Sequence, residues 1–212
     1  MASFSRRMDP TPGRTALVVI DMQNAFCRDD GSFAKLGFDI SMLQAAIVPC
    51  GQLTAAAHAT DVPVIFTRLR YAADYHDGGI AIRYMTPEFV EAKCLAADTW
   101  DIEIVDELAP ARSDHVIDKN RFSSFYAVEF EQLLKMLGFD SLVVCGVTTN
   151  CCVESTVRDA FQRNFKAFVV GDAVAELDAR RHELALETMH LLFADVITID
   201  EIVGLWAAAA GR

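Results

Sequence analysis

Six short, apolar, mostly β-branched runs constrain this chain more than any other feature: ALVVI at 16–20, VPVIF at 62–66, HVI at 115–117, LVVC at 142–145, AFVV at 167–170 and VITI at 196–199. Continuous apolar runs of this length belong to strands covered on both faces, as in a parallel sheet. The segments between them carry helical spacing. Residues 40–60 bring Leu43, Ile47, Leu53 and Ala57 to one side, and residues 126–137 do the same with Val128, Phe130, Leu133, Leu134 and Leu137. Gly138 follows as a helix stop. Residues 152–165 and 179–193 read alike. Alternating strands and helices predict a doubly wound α/β sheet. A length of 212 residues with 52% hydrophobic side chains suits one domain over 1–212, with residues 1–14 as a tail.

The remaining composition narrows the partners. The net charge is −11 and no basic block stands out, which argues against nucleic acid. No apolar run reaches the ~18–20 residues of a membrane span, so no membrane partner is expected. MASFSRRMDPTPGR lacks the apolar stretch of a signal peptide, which predicts a cytoplasmic protein. The six cysteines, at 27, 50, 94, 145, 151 and 152, follow neither a zinc spacing nor a small-domain disulfide framework. Reduced thiols are expected. Residues 70–114 are less regular, with Gly78-Gly79, Pro87 and Pro110. They read either as a substrate lid or as a plain surface excursion.

Ligands of open α/β sheets bind beyond the carboxyl ends of the strands. Asp21 follows the first run, within IDMQNAF. Thr67, Arg68 and Arg70 follow the second; Asp118 and Lys119 follow the third; GVTTNCC follows the fourth. An acid, an amine and a thiol are thereby expected at converging strand ends. A helix starting near Cys151 and a positive charge at Lys119 would lower a thiol pKa from ~8.5. Asp21 would move the proton as general base and acid, and loop amides would hold an oxyanion. Each piece alone has a plainer reading: a capping Asp, a solvated Lys, a small buried Cys. Arg68 and Arg70 suit a substrate carboxylate, or simply a surface ion pair. Gln23, Asn24, Phe26, Phe122, Phe125 and Asn150 stand nearby in sequence as candidate pocket residues.

Asp21 in VVIDMQNAF, Lys119 in VIDKNRFSSF and Cys152 in CGVTTNCCVESTVRDA resemble the signature of the isochorismatase-like cysteine hydrolases. The resemblance runs from Thr15 to Val203. It implies a three-layer α-β-α fold around a six-stranded, mainly parallel sheet. It implies the triad Asp21, Lys119 and Cys152, with Cys151 as filler. It also implies a cis Val147–Thr148 peptide, an oxyanion hole from the backbone N–H groups of Thr148 and Cys152, and a pocket-shaping role for Ser123 and Phe125. The activity implied is thioester-forming hydrolysis of a C–N bond in a small amide, carbamoyl or ureido compound, with ammonia release. The wording of GVTTNCCVEST is most similar to the ureidoacrylate, N-carbamoylsarcosine and biuret branch. Homodimers or homotetramers are implied as well.

Nicotinamidase-like or other small-amide hydrolysis is the alternative within the family. Asp74 and His76 form an Asp-x-His, but far from the strand and without further histidines nearby. No metal and no cofactor are expected. Outside the family, a redox role for Cys151 and Cys152 is disfavoured, because adjacent cysteines close a strained ring. A nucleotide-binding module would need a glycine-rich phosphate loop that the sequence lacks. A catalytically dead scaffold has no support in the triad.

Overall fold

The apolar runs become six parallel strands: β1 (Thr15–Ile20), β2 (Val64–Leu69), β3 (His115–Lys119), β4 (Ser141–Val147), β5 (Lys166–Ala175) and β6 (Asp195–Ile197). Their order is β3-β2-β1-β4-β5-β6, and every ladder is parallel. The computed structural model describes Met8, Pro10, Thr11 and residues 13–210; most of the expected tail lies outside the described residues. β1 and β4, the central strands, are buried along their whole length. That is why their sequences are uninterrupted apolar runs. No helix among the described residues is long and apolar enough to cross a membrane.

Five longer helices cover the sheet: α1 (Ile47–Ala59), α2 (Val128–Met136), α3 (Glu154–Gln162), α4 (Ala179–Leu192) and α5 (Ile199–Ala210). α1 packs on α5, and α3 on α4. Right-handed crossovers put the helices on both faces, giving three layers. Besides the longer carboxyl ends of β2 and β3, at Leu69 and Lys119, three boundaries differ from expectation. β5 continues past Val170 to Ala175. The run VITI ends as a strand at Ile197, and Ile199 begins α5 instead. α5, unforeseen in the sequence, buries Ile202 and Trp206 against the core. The third is at Thr149–Val153, where a wide π-type turn precedes α3; Cys152 sits in that turn, not in a regular α-helix.

The strand order reverses between β1 and β4, the switch point where a crevice opens. Gly146 makes this junction close. It pairs with Ile20, has φ +108°, and a Cβ there would lie 2.1 Å from the Ile20 carbonyl oxygen. Only glycine tolerates both conditions.

The long connection at 70–114 is fastened at several points. Tyr71 bridges to Ala96, and Gln23 bridges to Ile104. The Asp101 carboxylate accepts from the Ser32 hydroxyl (2.7 Å), the Ser32 N–H (2.9 Å) and the Leu95 N–H (2.7 Å). A half-buried carboxylate bonded this way holds the connection against the body of the fold.

Candidate active site

Asp21 follows β1 in the left-handed region at φ +52°, a conformation that Asp tolerates better than most residues. Its N–H donates to the Thr67 carbonyl (3.1 Å), and its own carbonyl accepts from Gln23 N–H (2.8 Å). This turn aims the carboxylate along the sheet edge. Oδ1 accepts from the Thr67 hydroxyl at 2.7 Å, and Oδ2 accepts from Lys119 Nζ at 2.6 Å. Thr67 therefore orients the acid. The strand-end rule had already pointed to it, beside the more conspicuous arginines.

Lys119 closes β3, and its side chain and that of Asp21 are both 0% exposed. Nζ also donates to the Arg121 carbonyl at 3.2 Å and faces Cys152 Sγ at 3.5 Å. Burial disfavours an ammonium, but the Asp21 carboxylate and the Cys152 sulfur outweigh it and hold Lys119 above its ordinary pKa. Lys119 is thus a fixed cation with three partners for its three protons.

Cys152 is 4% exposed. Its carbonyl accepts from the Thr156 hydroxyl (2.7 Å), and Thr156 Oγ1 accepts from Ser124 N–H (3.0 Å). The segment after Lys119 is thereby tied to the sulfur-bearing turn. The expected depression of the thiol pKa is overturned. The adjoining Cys151 thiol, burial and the Asp21 carboxylate push Cys152 well above its ordinary value, against the pull of Lys119. Lys119 pulls the other way, but its charge is shared with Asp21 at 2.6 Å. The resting sulfur is a thiol beside an internally neutral acid–amine pair.

A cavity of about 480 Å³ opens over this sulfur. Phe26, Phe122, Thr148, Asn150, Cys151 and Cys152 line it, as do Met85, Thr86, Phe89 and Leu95 from the long connection. The connection is a wall of the cavity. The Val147–Thr148 peptide leading into the turn is cis.

Comparison with known proteins now decides the lineage. The Isochorismatase domain family matches residues 15–201. The chain belongs to the isochorismatase family. Ureidoacrylate amidohydrolase RutB of Pseudomonas savastanoi pv. phaseolicola is 36% identical over 203 residues, 90% of this chain and 82% of that protein. A cysteine hydrolase structure from Pseudomonas syringae pv. phaseolicola is similar with TM-score 0.90 at 30% identity, covering 99% of this chain and 100% of that one. N-carbamoylsarcosine amidase from Thermoplasma acidophilum superposes with TM-score 0.69 at 25% identity, covering 87% and 96%.

Within this isochorismatase fold, five candidate pocket residues do not reach the cavity wall. Gln23 is consumed in holding backbone: Oε1 accepts from Leu69 N–H (2.8 Å), and Nε2 donates to the carbonyls of Leu69 (3.0 Å) and Ile102 (3.1 Å). Asn24 donates to the Trp100 carbonyl at 3.0 Å. Arg68 grips Asp118 through Nε (2.7 Å) and Nη2 (3.0 Å), and Arg70 reaches the same carboxylate at 3.0 Å. Their carboxylate partner is thus Asp118. Phe125 packs edge-on against Phe130 with centroids 4.9 Å apart, inside the core, and Ser123 caps the turn by accepting from Phe125 N–H at 3.2 Å.

Cys151, expected as filler, stands on the cavity wall. Asp74 and His76 pair with one another at 2.6 Å, both largely exposed, and no metal-holding group of His, Cys, Asp or Glu occurs among the described residues. Tyr71, Glu176 and Arg181 line the cavity without having been foreseen. The strand-end rule would have found Glu176 had β5 been extended to Ala175.

Proposed function

We propose that this chain is a cysteine-dependent amidohydrolase cleaving a C–N bond in a small amide, carbamoyl or ureido compound, with Asp21, Lys119 and Cys152 as its catalytic residues. The observation that carries the reading is one buried acid–amine–thiol array, Asp21 Oδ2 2.6 Å from Lys119 Nζ and Nζ 3.5 Å from Cys152 Sγ, whose Cys152 lines a cavity. The ureidoacrylate amidohydrolase and N-carbamoylsarcosine amidase likenesses support the substrate class.

In the mechanism, Asp21 takes the Cys152 proton as sulfur attacks the carbonyl carbon. The protonated resting thiol makes this transfer part of the attack, not a step completed beforehand. The N–H groups of Thr148 and Cys152 hold the oxyanion. Asp21 returns the proton to the leaving nitrogen, the C–N bond breaks, ammonia departs and a thioester (a thiocarbamate for a ureido group) remains. Water gives a proton to Asp21 and its oxygen attacks the same carbon. The C–S bond breaks, and the proton returns to sulfur. Lys119 stays charged throughout, offsetting whichever of Asp21 and Cys152 is anionic. Phe26, Phe122 and Asn150 contact the substrate. The expected homo-oligomer is part of the proposal, supported by Ile80, Tyr84 and Met85, which stand 72%, 69% and 72% exposed along the cavity-side connection.

The test is an ammonia-release screen over ureido acids, biuret, carbamates, nicotinamide and small amides, with Cys152→Ser as blank. Turnover of a ureido or carbamoyl compound that vanishes in the blank is expected. Equal release by both proteins would reject the scheme.

A further inference from the structure

A carbonyl carbon held on Cys152 has three further substituents. Its oxygen goes to the N–H groups of Thr148 and Cys152, and its leaving nitrogen to Asp21. The third substituent has to lie along the cavity, where the wall meets it. Three polar side chains on that wall are nearly sealed from solvent: Cys152 at 4%, Glu176 at 3% and Tyr71 at 2% exposed. Cys152 attacks. Glu176 already accepts from the N–H groups of Asn150 (3.3 Å) and Leu177 (3.0 Å). Tyr71 differs from both, and its neighbour Tyr75, with ring centroids 6.0 Å apart, shows how. The Tyr75 hydroxyl is shared between the carbonyls of Phe89 (3.2 Å) and Cys94 (3.0 Å), so it ties the long connection together. The backbone of Tyr71 is held as firmly: its N–H donates to the Leu95 carbonyl and its carbonyl accepts from Ala97 N–H, both at 2.8 Å. Its hydroxyl, by contrast, has no hydrogen-bond partner among the described residues, and it is not a sealed orphan either, a state found among them only at Trp206 Nε1. The hydroxyl therefore opens onto the space that Tyr71 lines, the Cys152 cavity. Burial and the nearby Cys152 sulfur push the phenol pKa up, so the proton stays on oxygen.

We infer that the Tyr71 hydroxyl hydrogen-bonds the cavity-side atom attached to the substrate carbonyl carbon, and so favours N–H or O over CH2 at that place. This rests on the proposed C–N hydrolysis at Cys152 and adds a specificity residue to it. A phenol both accepts and donates. It accepts from the N–H of a urea and donates to the ester oxygen of a carbamate, but finds no partner in the CH2 of a plain amide. Closing the cavity over such an amide leaves the hydroxyl against an apolar group, away from water and unpaired, which is costly. A site that hydrogen-bonds a substrate group rejects the isostere lacking it far better than an apolar pocket does. The two backbone bonds at Leu95 and Ala97 fix where Tyr71 stands, so the requirement applies at one position of the guest.

The experiment follows ammonia release from propylurea, propyl carbamate and pentanamide, which differ only in NH, O or CH2 beside the carbonyl, and from the matched pair 3-ureidopropionate and glutaramate. Tyr71→Phe removes the hydroxyl alone. Expected is a fall in the kcat/KM ratio of urea to amide of roughly 5- to 30-fold, as for one hydrogen bond and the relief of an unpaired polar atom. The carbamate-to-amide ratio falls as well. The melting temperature stays that of the parent, because no bond within the protein is lost. Tyr75→Phe gives the reverse, a lower melting temperature with the ratios unchanged. Ratios within about twofold of the parent in Tyr71→Phe, or an equal shift in Tyr75→Phe, overturn the inference. If the parent releases ammonia from none of these compounds, C–N hydrolysis of them fails, and ligand-observed NMR titration of propylurea and pentanamide into Cys152→Ser, with and without Tyr71→Phe, decides the contact on its own. An affinity ratio of propylurea to pentanamide that Tyr71→Phe lowers supports it; no binding of either, or an unchanged ratio, overturns it.

Discussion

Asp118 and Lys119 are neighbours in β3, yet they enter two very different ion pairs. Successive strand residues face opposite sides of the sheet. Lys119 turns inward to Asp21, both side chains 0% exposed and within reach of a sulfur. Asp118 turns outward to Arg68 and Arg70, with side-chain exposures of 31%, 27% and 36%. The outer cluster has better hydrogen-bond geometry, including a two-point grip, yet it touches no reacting group. The inner pair has one short contact and sets the electrostatics of the thiol. Burial, not the number of bonds, separates the pair proposed to govern chemistry from the pair that staples strands.

The largest effect should come from removing what the inner pair serves. Cys152→Ser should cut ammonia release at least ~1,000-fold, as loss of a nucleophile does, while calorimetric melting stays near that of the parent; a sizeable residual rate would detach the buried pair from catalysis. Next comes Lys119→Met, which strands a buried carboxylate. It should cost about 3–5 kcal/mol, a melting shift of roughly 10 °C. Asp21→Asn sharpens the electrostatic side. It removes a charge that raises the Cys152 pKa and frees Lys119 to lower it. Turnover should be lost while iodoacetamide alkylation at pH 7 becomes faster, and in the parent that rate should climb as pH rises toward the raised thiol pKa. Peptide mapping of the alkylated cysteine measures both; slower alkylation in the variant would contradict the balance described. Smallest is Asp118→Asn on the outer cluster, at about 1 kcal/mol or less by urea titration, with kcat unchanged. An effect as large as that of Lys119→Met would collapse the distinction.

The inner pair was legible in the sequence because it follows a rule about strand ends. Asp21, Lys119 and the GVTTNCC loop each stand just beyond an apolar run, and the sheet has to bring such ends together. For the outer cluster an ion pair of Arg68 and Arg70 was an expected reading, but its partner was not legible, because it depends on register. Arg68 meets Asp118 only because β2 and β3 pair Arg68 with Asp118 across the ladder, and nothing local to either run specifies that alignment. Residues 196–199 misled for another reason: VITI has strand propensity throughout, but burial of Ile202 and Trp206 draws Ile199 into α5. The cavity wall at 70–114 was only half readable. Its glycines and prolines announced irregular chain, while its anchoring by Asp101 and Gln23 is a tertiary matter.

The ladder between β4 and β5 slips in register between Val144 and Gly146, and β5 runs on beyond the slip to deliver Glu176 and, one turn into α4, Arg181. Pairing resumes beyond the slip, at Gly146–Val174 and Val147–Ala175, and Ala173, Val174 and Ala175 are buried. One strand thus serves two registers: before the slip it builds the core, and after it the same strand sets Glu176 against the Asn150 N–H of the sulfur-bearing turn. A residue added or removed at 171–175 would therefore be felt at the thiol, through a strand that carries none of the three catalytic candidates.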